Sequence, residues 1–232
     1  MTKVVLGERV IVSVGGSLIV PDGIDTQFLS DFRTLILKKV AEGFSFYIIT
    51  GGGKIARRYR DAAVAINSSS FADDLDWVGI AACRLNAELV RTTFADRAIP
   101  EIVRDTSIPV QSDSPLLFAG GVKPGNSSDW AAVHAARAVG AKRIVNLSNV
   151  DHVYTADPRT NPDAKPIEKI SWSDFGKLIP EEWSPGLSSP FDPVAAKEAE
   201  ALGLEIAMIN GAKLGEFENY LDGNPFIGTV IS

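Results

Sequence analysis

The chain has 232 residues, enough to bury a sizeable core in one compact unit, and its 45% hydrophobic and 22% charged residues describe an ordinary globular protein. A formal net charge of -6 argues against binding to a nucleic acid polymer or an anionic membrane, so any basic cluster has to be read as a local site. One cysteine, Cys83, cannot close an intramolecular disulfide, and the two histidines are too scattered for a protein-built zinc site.

A reducing, cytoplasmic setting is therefore expected. The N-terminal apolar run is broken by Glu8 and Arg9 and reads as neither a signal peptide nor a membrane span. One domain over 1–232 is the expectation. From the N-terminus, a strand is predicted over 9–14, ending in Gly15 and Gly16. A helix follows over 26–41, with Phe28, Leu29, Phe32, Leu35, Ile36 and Val40 on one stripe. A second strand, 46–50, runs into Gly51, Gly52 and Gly53, and helical spacing resumes over 55–66, with Ile55, Tyr59, Ala62 and Ile66 facing the core. A longer helix is predicted over 74–97, where Cys83 reads as a small buried thiol.

Strands are then predicted over 99–103 and 115–120, the second leading into "GGVKPGNSSD". Next come a helix over 128–139 and a strand over 143–148. The region 153–193, crowded with Pro, Asp and Ser, reads as an elaborated loop holding a strand near 167–170 and a helix near 173–178. Its aromatics Trp172, Trp183 and Phe191 read as packing groups. A helix (193–202), a strand (205–210) and a helix (214–221) complete the pattern. Strand alternating with helix predicts a mainly parallel sheet covered on both faces.

Three glycine-rich junctions follow apolar strands: "VSVGGSLIV", "IITGGGKIARR" and "LLFAGGVKPGNSSDWAA". Chain leaving the carboxyl ends of parallel strands gathers along one edge, where ligands bind. Glycine lets backbone N–H groups approach phosphate oxygens, and a helix beginning there adds unpaired amides and its dipole. Lys54, Arg57 and Arg58, spaced i, i+3, i+4, add positive charge on one face. Each glycine pair taken alone is equally explained by a tight turn. Three together, one of them basic, point to a phosphate trough. Neither a G-x-x-x-x-G-K-[ST] loop nor a strand-borne G-x-G-x-x-G is present. Asn126, Ser127, Ser128 and Asp129 are good helix caps, and Asp129 is also a candidate orienting group beside the trough.

In this order these pieces resemble the amino acid kinase superfamily, most closely the archaeal-type uridylate (UMP) kinases. The similarity runs from Val10 to Ile231 and is carried by "GGSLIVPDGIDTQFL", "GGGKIARRY", "SSSFADDLDWVGI", "NVDHVYTADPRTNPDAKPI", "DPVAAKEA" and "GTVI". The resemblance implies a three-layer α/β/α sandwich with a mainly parallel central sheet, and transfer of the ATP γ-phosphoryl group to UMP, with Mg2+ carried by the nucleotide. By position it implies that Gly16, Ser17, Gly53 and Arg57 meet ATP phosphates, with Ser148, Tyr154 and Asp157 around the adenosine. Gly52 would meet the UMP phosphate and Asp76 the ribose. Val122, Lys123, Gly125, Asn126, Ser127 and Ser128 would line the UMP site, and Asp129 with Arg57 would organise the transfer. A homo-oligomer, a dimer-based hexamer, is also implied.

The chain departs from the superfamily at Ser13, where many members carry lysine. It also departs from the usual "THPGHTTD", which here reads "VKPGNSSD", and at His152, which occupies a usual glycine and would be strained if φ must be positive there. Archaeal-type UMP kinases also lack that lysine, but the changes at 122–126 and 152 leave a second reading open, a non-catalytic nucleotide- or oxyanion-binding protein on the same fold, or a kinase for another phosphorylated acceptor.

Overall fold

The computed structural model describes residues 7–181 and 189–232. In chain order the elements are β1 (Arg9–Val14), α1 (Gly16–Ile19), α2 (Thr26–Ala41), β2 (Ser45–Thr50), α3 (Gly53–Ile66), α4 (Ala72–Thr92), β3 (Leu116–Ala119) and α5 (Ser128–Val139). They continue with β4 (Arg143–Ser148), β5 (Val153–Tyr154), β6 (Pro166–Ile167), β7 (Lys169–Ile170), α6 (Trp172–Gly176), α7 (Pro193–Ala201), β8 (Glu205–Asn210), α8 (Leu214–Asp222) and β9 (Thr229–Ile231).

The main sheet has the order β3-β2-β1-β4-β8-β9-β7. Neighbours from β3 to β8 pair in parallel, and β9 runs antiparallel to β8. Because strand side chains alternate, each apolar run feeds two layers. Val10, Val12 and Val14 of β1 join Phe46 and Ile48 of β2 in one core, against α2, α4 and α8. Ile11, Tyr47 and Ile49 point the other way, into a core closed by α5, α6 and α7. This is the expected three-layer sandwich. Alanines 131, 132, 135 and 136 let α5 lie close on the sheet. Lys39 of α2 is fully buried yet paired with Asp222 at 2.8 Å and Glu42 at 3.0 Å, which ties α2 to α8.

Several expectations need correcting. The stretch 99–103 is no strand: it touches β3 only at the isolated bridges of Ala98 with Leu116 and Val103 with Ala119. Pro100 between them has no N–H to continue a ladder. α4 stops at Thr92 rather than 97. α3 buries no residue, with Tyr59 64% and Ile66 88% exposed, so its apolar side does not face the core of the chain. The segment near 167–170 divides, β6 pairing with β5 in a small hairpin while β7 joins the main sheet beside β9. His152 carries no strain, since no residue other than glycine has a positive φ among the described residues. Trp172 and Phe191 pack in the core, and Trp183 lies outside the described residues. Among the described residues no helix is long and apolar enough to cross a membrane.

The first two glycine junctions meet backbone to backbone. A methyl group on Gly16 would overlap the Gly53 nitrogen and sit 2.5 Å from the Gly51 carbonyl oxygen and 2.6 Å from the Gly52 carbonyl carbon. Gly16→Ala should therefore lower stability by roughly 1–3 kcal/mol or more through overpacking. Gly79 lies inside α4, and a methyl there meets only the Arg60 Cδ at 3.9 Å. Gly79→Ala should instead gain about 0.5–1 kcal/mol from helix propensity. Urea unfolding of the two variants beside the wild type checks the opposite signs.

Candidate active site

The parallel strands end at a common rim, and their backbones continue each other's ladders there. Gly15 N–H donates to the Leu147 carbonyl (2.9 Å), Gly51 N–H to Val14 (3.0 Å) and Gly211 N–H to Ser148 (2.8 Å). The third junction joins the first two: the β-position of Gly51 lies 3.1 Å from the Gly16 nitrogen and 3.6 Å from the Ser128 Oγ. All three glycine turns thus converge, as expected of a trough at the sheet edge.

Helix α4 holds them in register. Asn86 Nδ2 donates to the Gly51 carbonyl at 2.8 Å, inside the protein. Arg84 donates to the carbonyls of Gly121 (3.0 Å) and Val122 (2.9 Å), and the Asp76 carboxylate accepts from Gly125 N–H (2.9 Å). Gly125 has φ +78°, a backbone state that suits glycine. Thr50 Oγ1 donates to the Cys83 carbonyl, and the Cys83 thiol sits beside Gly52, where burial pushes its pKa up to about 11 and keeps it a neutral packing group.

A cleft of about 280 Å³ opens over this floor. Of the sequence-predicted residues it is lined by Gly52, Gly53, Arg57, Asp76, Asn126, Ser127, Ser128 and Asp129. Gly16 is buried against Gly53, and Ser17 follows it at the start of α1. Val122 is buried, its carbonyl held by Arg84. Lys123 turns away, its Nζ 5.5 Å from the centre of the Trp130 ring. Ser148 ends β4 beside Gly15, while Tyr154 lies on β5 edge-on to His152. Asp157 pairs with Arg159 at 2.8 Å, which holds its carboxyl below the usual carboxylate range. Ser148, Tyr154 and Asp157 are not among the residues lining the cleft.

The basic cluster divides. Lys54 and Arg58 both reach Asp22, at 3.0 and 3.5 Å, so their charge is shared with a surface carboxylate. Arg57 faces the cleft. Sequence reasoning missed Arg60, which enters the same cleft one turn later; its place three residues after Arg57 was the available signal. It also missed Asn146 and the position of Asp192.

Those last two residues define the setting of Asp129. Ser127 caps α5 by accepting from Trp130 N–H at 3.1 Å, which places Asp129 in the first turn, over the cleft floor. One Asp129 oxygen accepts from Asn146 Nδ2 (3.2 Å) and the other from Asp192 N–H (3.0 Å). Asp192 itself caps α7 through the N–H groups of Val194 (2.7 Å) and Ala195 (2.9 Å). Burial raises the Asp129 pKa to about 7, and the neighbouring Asp192 charge pushes the same way against its two hydrogen bonds. Backbone amides, a guanidinium and a fixed carboxylate in one cleft can align a polyanion and neutralise charge that moves along it.

The amino acid kinase family profile matches residues 8–210. The chain is 34% identical to the uridylate kinase of Pyrococcus abyssi over 207 residues, which span 87% of this chain and 89% of that protein. It is 31% identical to the uridylate kinase of Natronomonas pharaonis over 226 residues, 96% of this chain and 98% of the relative. The crystal structure of uridylate kinase from Archaeoglobus fulgidus superposes with a TM-score of 0.78 at 26% identity, covering 96% of this chain and 99% of that one.

An Asp129 carboxyl whose pKa is raised in the fold binds its proton more tightly than in the unfolded chain. Its contribution to stability is whole below about pH 3.8 and is lost as pH rises towards about 7. Asp129→Asn should therefore be more stable than the ligand-free wild type at pH 8, by on the order of 1–3 kcal/mol, with the gap narrowing at pH 5. Thermal unfolding across that pH range checks the direction.

Proposed function

The chain belongs to the amino acid kinase family, and on that footing we propose that it transfers the γ-phosphoryl group of ATP to UMP, giving UDP and ADP. The observation that carries the reading is the convergence of three glycine turns beneath one cleft that Arg57 enters. The uridylate kinase relatives favour a catalyst over a non-catalytic binding protein on the same fold.

A phosphate oxygen of UMP attacks the γ-phosphorus while the bond to the β,γ-bridging oxygen breaks, and that oxygen leaves with ADP. The attacking oxygen is already ionised, so no strong base is needed, and the protein's task is alignment and charge neutralisation. In this reading Gly16, Ser17, Gly53 and Arg57 hold the ATP phosphates, and Ser148, Tyr154 and Asp157 border the adenosine. Gly52 meets the UMP phosphate, Asp76 the ribose, and the segment 122–128 encloses the acceptor. Mg2+ carried by the nucleotide would supply charge neutralisation on the transferred group. Asp129 fits a role beside it: each of its oxygens accepts one hydrogen bond and keeps a lone pair for the ion's water shell or a substrate group.

The unburied α3 suits a further part of this reading, assembly with copies of the same chain. Tyr59 and Ile66 on α3 are 64% and 88% exposed and Phe71, just before α4, is 77% exposed, apolar groups whose burial would stabilise a homo-oligomer.

With ATP and Mg2+ present, UMP should produce ADP and UDP while AMP should not. Arg57→Ala should lower kcat/KM by about 10²–10³-fold, and Asp129→Asn should lower kcat more than it raises the KM for UMP. A coupled ADP assay with UDP identified by chromatography decides this, and better turnover of another phosphorylated acceptor would overturn the substrate. Light scattering should give a multiple of the chain mass, with Phe71→Asp shifting the protein towards smaller species; a wild-type monomer at micromolar concentration overturns the assembly.

A further inference from the structure

Among the described residues, two buried polar atoms in the cleft have no partner. The Arg60 Nε–H donates to nothing, and the Asn126 Oδ1 accepts from nothing, although both side chains line the same cavity. Unpaired buried polar atoms are uncommon because they have given up water without replacement, and here one is a donor and the other an acceptor. Of the other cations near the cleft, Arg57 also enters it, while Lys54 and Arg58 pair with Asp22 and Lys123 lies over Trp130.

Arg60 lies along α3 from the glycine turn, and the Gly79 carbonyl beside its stem is 3.3 Å from the β-position of Gly52. The Arg60 Cα lies about 10 Å along the α3 axis from Gly53, against about 6 Å for Arg57. Its stem rests against Gly79, whose β-position is 3.9 Å from the Arg60 Cδ, and Gly79 is one turn along α4 from Asp76. Asp76 in turn holds Gly125 N–H, the residue next to Asn126. Arg60, on α3, and Asn126, in the loop that Asp76 holds, thus line the cleft from two walls, between which an acceptor nucleotide with its phosphate at Gly52 would carry its base.

We infer that Arg60, together with Asn126, reads the base of the acceptor nucleotide: the Arg60 guanidinium donates to a uracil carbonyl oxygen and Asn126 Oδ1 accepts from the adjacent N3–H. This rests on the reading of the cleft as a nucleoside monophosphate site and adds its specificity-determining residue. A phosphate oxygen would satisfy Arg60 alone and be repelled by Asn126 Oδ1. An imide edge satisfies both, and cytosine lacks the N3–H. A site built to hydrogen-bond a substrate group rejects analogues lacking it because its own buried atoms are then left unpaired.

Titration calorimetry of UMP, 3-methyluridine 5′-monophosphate and ribose 5-phosphate into wild type, Arg60→Met and Arg60→Lys tests this. Arg60→Met should weaken UMP by about tenfold to a hundredfold and leave ribose 5-phosphate within about twofold. Arg60→Lys should not restore UMP binding, because a lone ammonium lacks the planar N–H array. The 3-methyl analogue should bind wild type about tenfold or more weakly than UMP. Equal loss of UMP and ribose 5-phosphate in Arg60→Met, with rescue by lysine, would make Arg60 a phosphate contact and overturn the inference; so would unchanged UMP affinity. Wild type that binds UMP through Arg60 without ever forming UDP would leave the inference standing and overturn the kinase reading. UDP formation with an unchanged UMP affinity in Arg60→Met would do the reverse.

Discussion

The contact between bare backbones at Gly16 and Gly53 is the constraint on which the cleft depends. With a side chain at either position the loops after β1 and β2 would be pushed apart, because the atoms facing each glycine are main-chain atoms with nowhere to move. Their proximity sets the start of α3 over the first junction and brings Ser128, at the head of α5, within reach of Gly51. The sheet supplies the rim, and the missing Cβ atoms let its loops close into one floor.

Charge is distributed over that floor unevenly. The side of α3 near the chain's surface shares Lys54 and Arg58 with Asp22, which leaves guanidinium groups, not ammonium groups, to face the cleft. Guanidinium carries a fixed fork of donors and keeps its proton under all ordinary conditions, so it suits planar or bidentate recognition of oxygens. Opposite lies Asp129, a carboxylate partly starved of water and steadied by Asn146 and the amide of Asp192. In the absence of ligand it is an unfavourable place for negative charge. Cations brought into the cleft relieve it, so the empty protein holds part of the interaction energy in reserve for an occupied state.

Much of this was legible in the sequence. β1, β2, β4 and β8 announced themselves as apolar runs, and α2 and α5 fell on the predicted bounds because their stripes follow the helical period without interruption. The glycine junctions and Arg57 could be placed at a common edge, since parallel topology alone sends them there. What failed did so for nameable reasons. α3 carries an apolar side that meets no core in the single chain, so periodicity was right about the helix and wrong about its burial. The stretch 99–103 had strand-like residues, but Pro100 removed the donor a ladder required. Asn146 and Asp192 were invisible because their role comes from long-range hydrogen bonds to a residue 17 and 63 positions away. Arg60 was hidden among four cations; its buried Nε–H in the cleft and its packing against Gly79 distinguish it only in three dimensions.

The strand β9 lies between β8 and β7 yet follows every other strand in the chain. Thr229, its first residue, also takes the backbone N–H of Val153 at 2.8 Å, at the base of the β5–β6 hairpin. During synthesis all five parallel strands emerge before β9 and can assemble as a unit, whereas β7 and the hairpin, although made before β8, wait for β9 to follow. One edge of the sheet, and the loops that hang from it, are thus completed by a single late insertion, which makes maturation of that half of the protein a question of timing as much as of affinity.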